Sequence, residues 1–252
     1  MARTVTSVLA RGLLIFGGLL LLAIAGLLTQ LPRPGEARIE AAPEVVGVHD
    51  GQSYAWILRT KNGAVLVDTG ADVSGKVLLQ ELAAQGLGLR DVHTVLLTHA
   101  HKDHWGAAHL FPQARVLVGP GDEDVLAGVV RLHAPAVRLY SRLVPDPPLP
   151  ERREELRDGQ VLELDGERVQ VVHVPGHTPG SVAYLWKDLL FTGDALMRRR
   201  GGVGPAPSLL NEDSARARES LRALLELPFT RTADGHTGLT ENAKQKLREA
   251  LE

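Results

Sequence analysis

The chain has 252 residues, 44% of them apolar, enough for one substantial core once a distinct N-terminal segment is set aside. A formal charge of −2 gives no overall basic field that would draw in nucleic acid or an anionic membrane surface. The absence of cysteine excludes disulfides, thiolate metal ligands, a cysteine nucleophile and lipid attachment through cysteine, so any tightly held metal is bound by nitrogen and oxygen.

From Gly12 to Pro32 there is no charged residue, and Arg3 and Arg11 precede an almost unbroken Leu, Ile, Ala and Gly run. Such a run is long enough to cross the ~30 Å hydrocarbon layer as a helix, so residues 1–31 read as an N-terminal hydrophobic helix that anchors the protein in a membrane. With the N-terminus inside, the domain is extracytoplasmic. The competing reading is a signal segment: Ala23-Ile24-Ala25 before Gly26 fits a small-x-small cleavage site, and cleavage there would leave a secreted or periplasmic protein. Pro32, Pro34 and Gly35 punctuate the exit, so residues 32–42 read as a linker and residues 43–252 as one catalytic domain.

Within that domain, Val45 to Val48 and Ser53 to Arg59 are β-prone, and Asn62-Gly63 links the second run to Ala64–Asp68 as a hairpin. Val77, Leu78 and Leu82 mark one face of a helix, and Val92 to Thr98 is the next strand. The stretch from Leu143 to Pro150, with four prolines, reads as a surface excursion. Two further hairpins follow. Val161–Leu164 and Val169–Val174 flank Asp165-Gly166, while Ser181–Trp186 and Leu189–Thr192 flank Lys187-Asp188. Ser214 to Leu225 and Asn242 to Leu251 carry helical spacing, with Thr240 as N-cap of the last helix. Two strand-rich halves, each covered by helices, predict an α+β sandwich of two sheets between helices.

Where the apolar strand at Val92 ends, Thr98-His99-Ala100-His101-Lys102-Asp103-His104 places three imidazoles and a carboxylate within six residues. Neutral imidazole and carboxylate suit zinc, or iron and manganese, and such groups are costly to pack together unless an ion binds them. Three later loops each add one candidate ligand after a β-prone run: His177 in Pro175-Gly176-His177-Thr178-Pro179-Gly180, Asp194 in Thr192-Gly193-Asp194, and His236 in Asp234-Gly235-His236. Glycine beside each ligand lets the backbone come close to a bound ion.

The motif His99-x-His101-x-Asp103-His104, the turn at His177, Gly193-Asp194 and Gly235-His236, in this order, resemble the metallo-β-lactamase-fold hydrolases over about Val45 to the end. That group includes class II glyoxalases, lactonases and true β-lactamases. The resemblance implies a four-layer αββα sandwich. It also implies two divalent metal ions, zinc first with iron or manganese as alternatives: His99, His101 and His177 hold one, Asp103, His104 and His236 the other, and Asp194 bridges them. Val65-Leu66-Val67-Asp68-Thr69-Gly70 matches a strand and turn whose aspartate supports the ligand loops; capping of the turn by Asp68 is the alternative.

A paired metal site lowers the pKa of a bridging water toward neutrality, and the resulting hydroxide attacks an ester, lactone or thioester carbonyl; Asp103 orients it and relays its proton. True β-lactamases usually carry cysteine or serine where Asp194 stands, which directs the resemblance to the glyoxalase and lactonase branch. Only sixteen residues follow His236, too few for the helical region with which class II glyoxalases grip glutathione, so the expected substrate is another ester, lactone or thioester. Arg198, Arg199 and Arg200, close after Asp194, could hold an anionic part of this small-molecule substrate; a solvated basic loop is the alternative. Two other functions stay open: a mononuclear iron enzyme resembling persulfide dioxygenases, and a membrane-linked accessory or nucleic-acid-processing module. Trp105 reads as core, and His49, His93, His109, His133 and His173 as structural or surface residues.

Overall fold

The computed structural model describes residues 35–252, and the anchor or signal reading of residues 1–31 lies outside them. Among the described residues, no helix is long and apolar enough to cross a membrane. The first sheet takes its strands in chain order: β1 (Arg38–Ala42), β2 (Val45–His49), β3 (Tyr54–Arg59), β4 (Ala64–Val67), β5 (Val92–Leu96), β6 (Arg115–Val118) and β7 (Arg153–Glu155). Pairing is antiparallel as far as β4 and parallel from there to β7.

The second sheet comprises β8 (Val161–Leu164), β9 (Glu167–His173), β10 (Val182–Trp186), β11 (Leu189–Gly193), β14 (Arg231–Asp234) and β15 (Leu239–Thr240). Its order is β15-β14-β11-β10-β9-β8, with β11 and β14 parallel. A small hairpin of β12 (Met197–Arg199) and β13 (Gly202–Gly204) stands apart. Six helices complete the domain: α1 (Lys76–Ala84), α2 (Lys102–Trp105), α3 (Asp122–Leu126), α4 (Pro135–Leu143), α5 (Ser214–Leu224) and α6 (Ala243–Leu251).

Side-chain alternation decides which face each residue serves. In β3, Trp56 and Leu58 point between the sheets, where they meet Tyr184, Trp186 and Phe191 of the second sheet. Ala55 and Ile57 point the other way and pack with Leu66, Val95 and the α1 residues Leu78 and Leu82. The outer face of the second sheet, through Ala183, Leu185 and Leu190, is covered by Leu221 and Leu224 of α5 and Leu247 of α6. The central strands of both sheets are therefore buried on two faces, which is why β2, β3, β4, β10 and β11 read as continuous apolar runs rather than strict alternations. Each fully buried Leu, Ile or Val here contributes about 1.5–3 kcal/mol.

Two local expectations need correction, and one helix has no counterpart in the sequence reading. Arg38–Ala42, inside the segment read as linker, is strand β1, paired antiparallel with β2; its alternation of charged and apolar residues suits an edge strand. Thr240 lies in β15, and the N-cap of α6 is Asn242, in the left-handed region (φ 53°) with no side-chain cap bond. The proline-rich stretch follows a helix not anticipated from sequence, α4, and β7 after it is a three-residue Arg-Glu-Glu edge strand too short and too charged to give a periodic signal.

Candidate metal centre

Strand direction brings the ligand loops together. β4 and β5 are parallel; β9 and β11 both pair antiparallel with β10, so they run the same way as each other and as β14. Asp68 follows β4, the His99–His104 segment follows β5, His177 follows β9, Asp194 follows β11 and His236 follows β14. Every predicted ligand thus sits just beyond the C-terminal end of a strand, on loops held by a rigid scaffold.

His99 Nε2 lies 3.0 Å from His101 Nδ1, His177 Nε2 lies 3.2 Å from His99 Nε2, and His177 Nε2 lies 3.0 Å from His101 Nδ1. Four ligand atoms at about 2.0–2.1 Å from a tetrahedral zinc stand about 3.3 Å apart, so three converging imidazole nitrogens match one face of that tetrahedron. A second group gathers around His104 Nε2, which is 3.9 Å from Asp103 Oδ2, while His236 Nε2 is 3.7 Å from the same oxygen.

Asp194 reaches both groups. Its Oδ2 is 3.5 Å from His177 Nε2 and 3.1 Å from His236 Nε2, and its Oδ1 is 3.4 Å from His104 Nε2. His99–His101–His177, His99–His104–Asp194 and Asp103–His104–His236 are each clustered tightly enough to hold an ion. Gly235 leaves the room for this: a Cβ there would meet His104 Cε1 at 2.5 Å and Asp194 Oδ1 at 2.7 Å.

Hydrogen bonds on the far side of the rings orient them. His104 Nδ1 donates to Asp68 Oδ2 at 2.7 Å, His177 Nδ1 to Asn211 Oδ1 at 3.0 Å, and His236 Nδ1 to the Gln52 carbonyl at 2.7 Å. Thr98 Oγ1 donates to Asp68 Oδ2 at 2.7 Å and so accepts from His99 Nδ1 at 3.0 Å. Four rings therefore use Nδ1 as a donor on the far side and turn Nε2 into the cluster, the orientation a metal ligand needs. Buried polar atoms without a hydrogen-bond partner include His101 Nε2, His104 Nε2 and Asp194 Oδ1. Two of these, His104 Nε2 and Asp194 Oδ1, face the centre, and stranding them is costly unless an ion takes their lone pairs. The donor set, all imidazole and carboxylate, fits divalent zinc, iron or manganese.

The charges divide the cluster. Burial, reinforced by neighbouring imidazoles, holds His99 and His101 well below the ordinary histidine range, and burial also lowers His177. Burial works against the His104 cation, but Asp68, Asp194 and Asp103 outweigh it and raise the ring to about 9. Burial is likewise overcome at His236 by Asp194 and Asp103, which raise it, and at Asp194 by His236 and His104, which hold the carboxyl well down. The three-histidine half is built neutral, and the acidic half is built to attract positive charge.

Asp68, in the left-handed region (φ 58°) and 1% exposed, accepts from Thr98 N at 2.8 Å as well as from Thr98 Oγ1 and His104 Nδ1. Of the basic run, Arg198 is committed to the Thr237 carbonyl through Nη2, Arg199 is half-buried with Nη1 unpartnered, and Arg200 is exposed. Trp105 is buried and donates to the Ala100 carbonyl at 3.1 Å. His49 is buried against Tyr54, and His173 contacts the Pro179 carbonyl; His93, His109 and His133 belong to neither ligand group.

Sequence reading missed Asn211, Gln52, Ser53 and Asp122, which hold the ligand loops from distant points of the chain. Ser53 Oγ donates to the Asp103 carbonyl, and Asp122 accepts from Ala100 N. No motif marks them, because each is a single common polar residue whose partner is chosen by the fold.

A buried two-part His/Asp centre at the strand ends of two apposed sheets defines a metal-binding α+β class. The sequence matches the metallo-beta-lactamase superfamily over residues 48–236, and the chain belongs to that family. It is 33% identical over 176 residues to the hydroxyacylglutathione hydrolase of Aeromonas hydrophila, covering 70% of this chain and 57% of that protein. It is 32% identical over 157 residues to the hydroxyacylglutathione hydrolase GloC of Haemophilus influenzae, covering 61% of this chain and 69% of that one. Among solved structures, the metallo-beta-lactamase SMB-1 bound to 2-mercaptoethanesulfonate superposes with a TM-score of 0.68 at 20% identity, over 86% of this chain and 93% of that one. A metallo-beta-lactamase family protein from Thermus thermophilus superposes at 0.61 and 24% identity, over 85% and 77%.

Proposed function

We propose that the protein is a two-metal hydrolase of acyl thioesters and related esters and lactones, with zinc as the resident ion. The observation that carries this reading is Asp194, whose two oxygens stand within 3.1–3.5 Å of His177, His104 and His236 and so join the two ligand groups. The hydroxyacylglutathione hydrolase names of the relatives support a thioester as the bond cleaved. An aspartate at this bridging position supports the glyoxalase and lactonase branch over antibiotic hydrolysis.

When bound, the ions supply an acidified water and a positive field for the charge that develops on the scissile carbonyl oxygen. The protein's own groups do the rest. His99, His101 and His177 hold one position, and Asp103, His104 and His236 the other, in a site dry enough to strengthen every electrostatic contact. Asp103 is the most accessible carboxylate of the centre, its side chain 14% exposed against 5% for Asp194. With Oδ2 turned to His104 and His236, its Oδ1 would take the proton of the attacking water and pass it to the departing sulfur of a thioester or oxygen of an ester or lactone. Arg199 and Arg200 are the cations of the β12–β13 hairpin left to meet an anionic substrate group, since Arg198 is bonded to Thr237. The apolar run at residues 12–32 supports attachment to a membrane with the domain on the extracytoplasmic side; protease accessibility in intact cells tests this.

Metal quantification on the purified protein, followed by a screen of thioester, lactone, phosphodiester and β-lactam substrates, tests the central claim. Two metals per chain and turnover of thioesters or lactones, abolished in His101→Ala with the fold retained, are expected. One iron and no second metal would point instead to a mononuclear oxygenase, and turnover confined to phosphodiesters to a nucleic-acid-processing role.

A further inference from the structure

Asp122, at the start of α3, is 1% exposed, and among the described residues no cation lies within ion-pair distance of it. A buried carboxylate without a counter-ion gains nothing for the fold through an ion pair and needs hydrogen-bond donors to be tolerated at all. What the carboxylate does instead is join two ligand loops. Its Oδ2 accepts from Ala100 N at 2.7 Å, the residue between His99 and His101, and from Thr178 Oγ1 at 2.8 Å, the residue after His177. Its Oδ1 accepts from Gly180 N at 2.8 Å. Space around the join is tight: a Cβ on Gly180 would lie 2.6 Å from Asp122 atoms, and one on Gly119 would lie 1.8 Å from the Gly180 carbonyl oxygen.

The acidic half is held by other groups. His104 is fixed by Asp68, His236 by the Gln52 carbonyl, and the Asp103 backbone by Ser53. None of these bonds involves Asp122. We propose that Asp122 is a positioning residue of the three-histidine half of the centre: where Thr98 and Asn211 orient the His99 and His177 rings, Asp122 sets the spacing of the two loops that carry His99, His101 and His177 and hence metal affinity there, independently of the acidic half. This rests on the two-metal reading above.

The test measures zinc affinity by chelator competition, without recourse to activity, in two backgrounds that each leave one half intact: His236→Ala for the three-histidine half and His101→Ala for the acidic half. Asp122→Asn keeps the volume but turns an amide N–H2 toward at least one of the three donors. It is expected to weaken zinc binding about 10–100-fold in the His236→Ala background, the range for losing a group that orients a ligand. In the His101→Ala background it shifts affinity less than twofold. Thr178→Val, which leaves the Asp122 carboxylate in place and removes the hydroxyl that donates to it and meets Ser181 Oγ at 2.8 Å, gives a gentler second measure should Asp122→Asn fold poorly; its loss falls in the same half. Equal weakening in both backgrounds, or none in the His236→Ala background, overturns this inference while the two-metal reading stands. A wild-type protein that binds no zinc overturns the two-metal reading, and this inference with it.

Discussion

Asp68 offers the sharpest test of how the centre is supported. Asp68→Ala removes the acceptor of three donors: Thr98 N, Thr98 Oγ1 and His104 Nδ1, at 2.7–2.8 Å. Each buried donor left without a partner costs about 1–3 kcal/mol. Thr98 Oγ1 has an escape, since it can turn its proton to His99 Nδ1, 3.0 Å away. That leaves two stranded donors and a loss of about 2–6 kcal/mol, out of a typical total stability of about 5–15 kcal/mol. The escape has its own consequence: it drives the His99 proton onto Nε2, the nitrogen that faces the cluster, and so weakens metal binding as well. Backbone strain separates from side-chain loss by a second variant. Asp68 has φ 58°, which costs alanine about 1–2 kcal/mol and glycine little. Asp68→Gly is therefore expected to be more stable than Asp68→Ala by about that amount, yet equally weak for metal. Urea unfolding of the metal-free proteins, with zinc titration by chelator competition, reads both quantities. Metal-free stability of Asp68→Ala within about 0.5 kcal/mol of wild type, together with zinc affinity within twofold, would refute the reasoning.

Removing the shared carboxylate with Asp194→Ala is expected to lower bound metal below two per chain and hydrolysis by at least about 100-fold, read by metal analysis and steady-state kinetics. Gly235→Ala pushes a Cβ into His104 and Asp194; zinc affinity should fall while circular dichroism stays at wild-type values, and unchanged affinity would show that the loop has slack. Arg199→Ala should raise KM for thioesters with an anionic acyl or thiol part and leave neutral ones unaffected, whereas equal KM values across both sets would return the basic run to the solvent. Asp188 is held down to about 2 by its bonds to Arg231 and Thr230. A carboxyl depressed below its unfolded value contributes stability above about pH 4 that is lost as the pH falls toward 2, so Asp188→Asn should flatten stability across that window. The pair is substantially exposed, so the change is a fraction of a kcal/mol, best resolved as a change in slope of urea midpoint against pH.

The two hairpins of the second half were legible in Asp165-Gly166 and Lys187-Asp188: Asp165, Gly166 and Lys187 all have positive φ, the backbone state such turns require. β6 was not, because no hairpin turn joins Arg115–Val118 to a neighbouring run, as such turns mark the equally short β4 and β8, and its partners β5 and β7 are parallel strands distant in the chain. β1 was hidden by prolines and glycine just before it and exists because β2 offers an edge to pair with. Conversely, Thr240 had the chemistry of a cap, but pairing with Thr232 took it into β15 and left Asn242 to begin the last helix.

By itself the sequence determined the chemistry of the centre: seven imidazole and carboxylate groups at strand ends, with no thiol to compete. Ligand identity is written in residue type and local spacing, which a chain carries wherever it folds. Only the tertiary structure decided which residues hold those ligands in place. Beyond Asp68, which the Val65–Gly70 turn already marked, Asp122, Asn211 and Gln52 act through hydrogen bonds that span 22 to 184 residues of chain. The strength of such bonds comes from burial and from the loops' meeting at one edge of two sheets, and neither is a property of any short stretch of sequence.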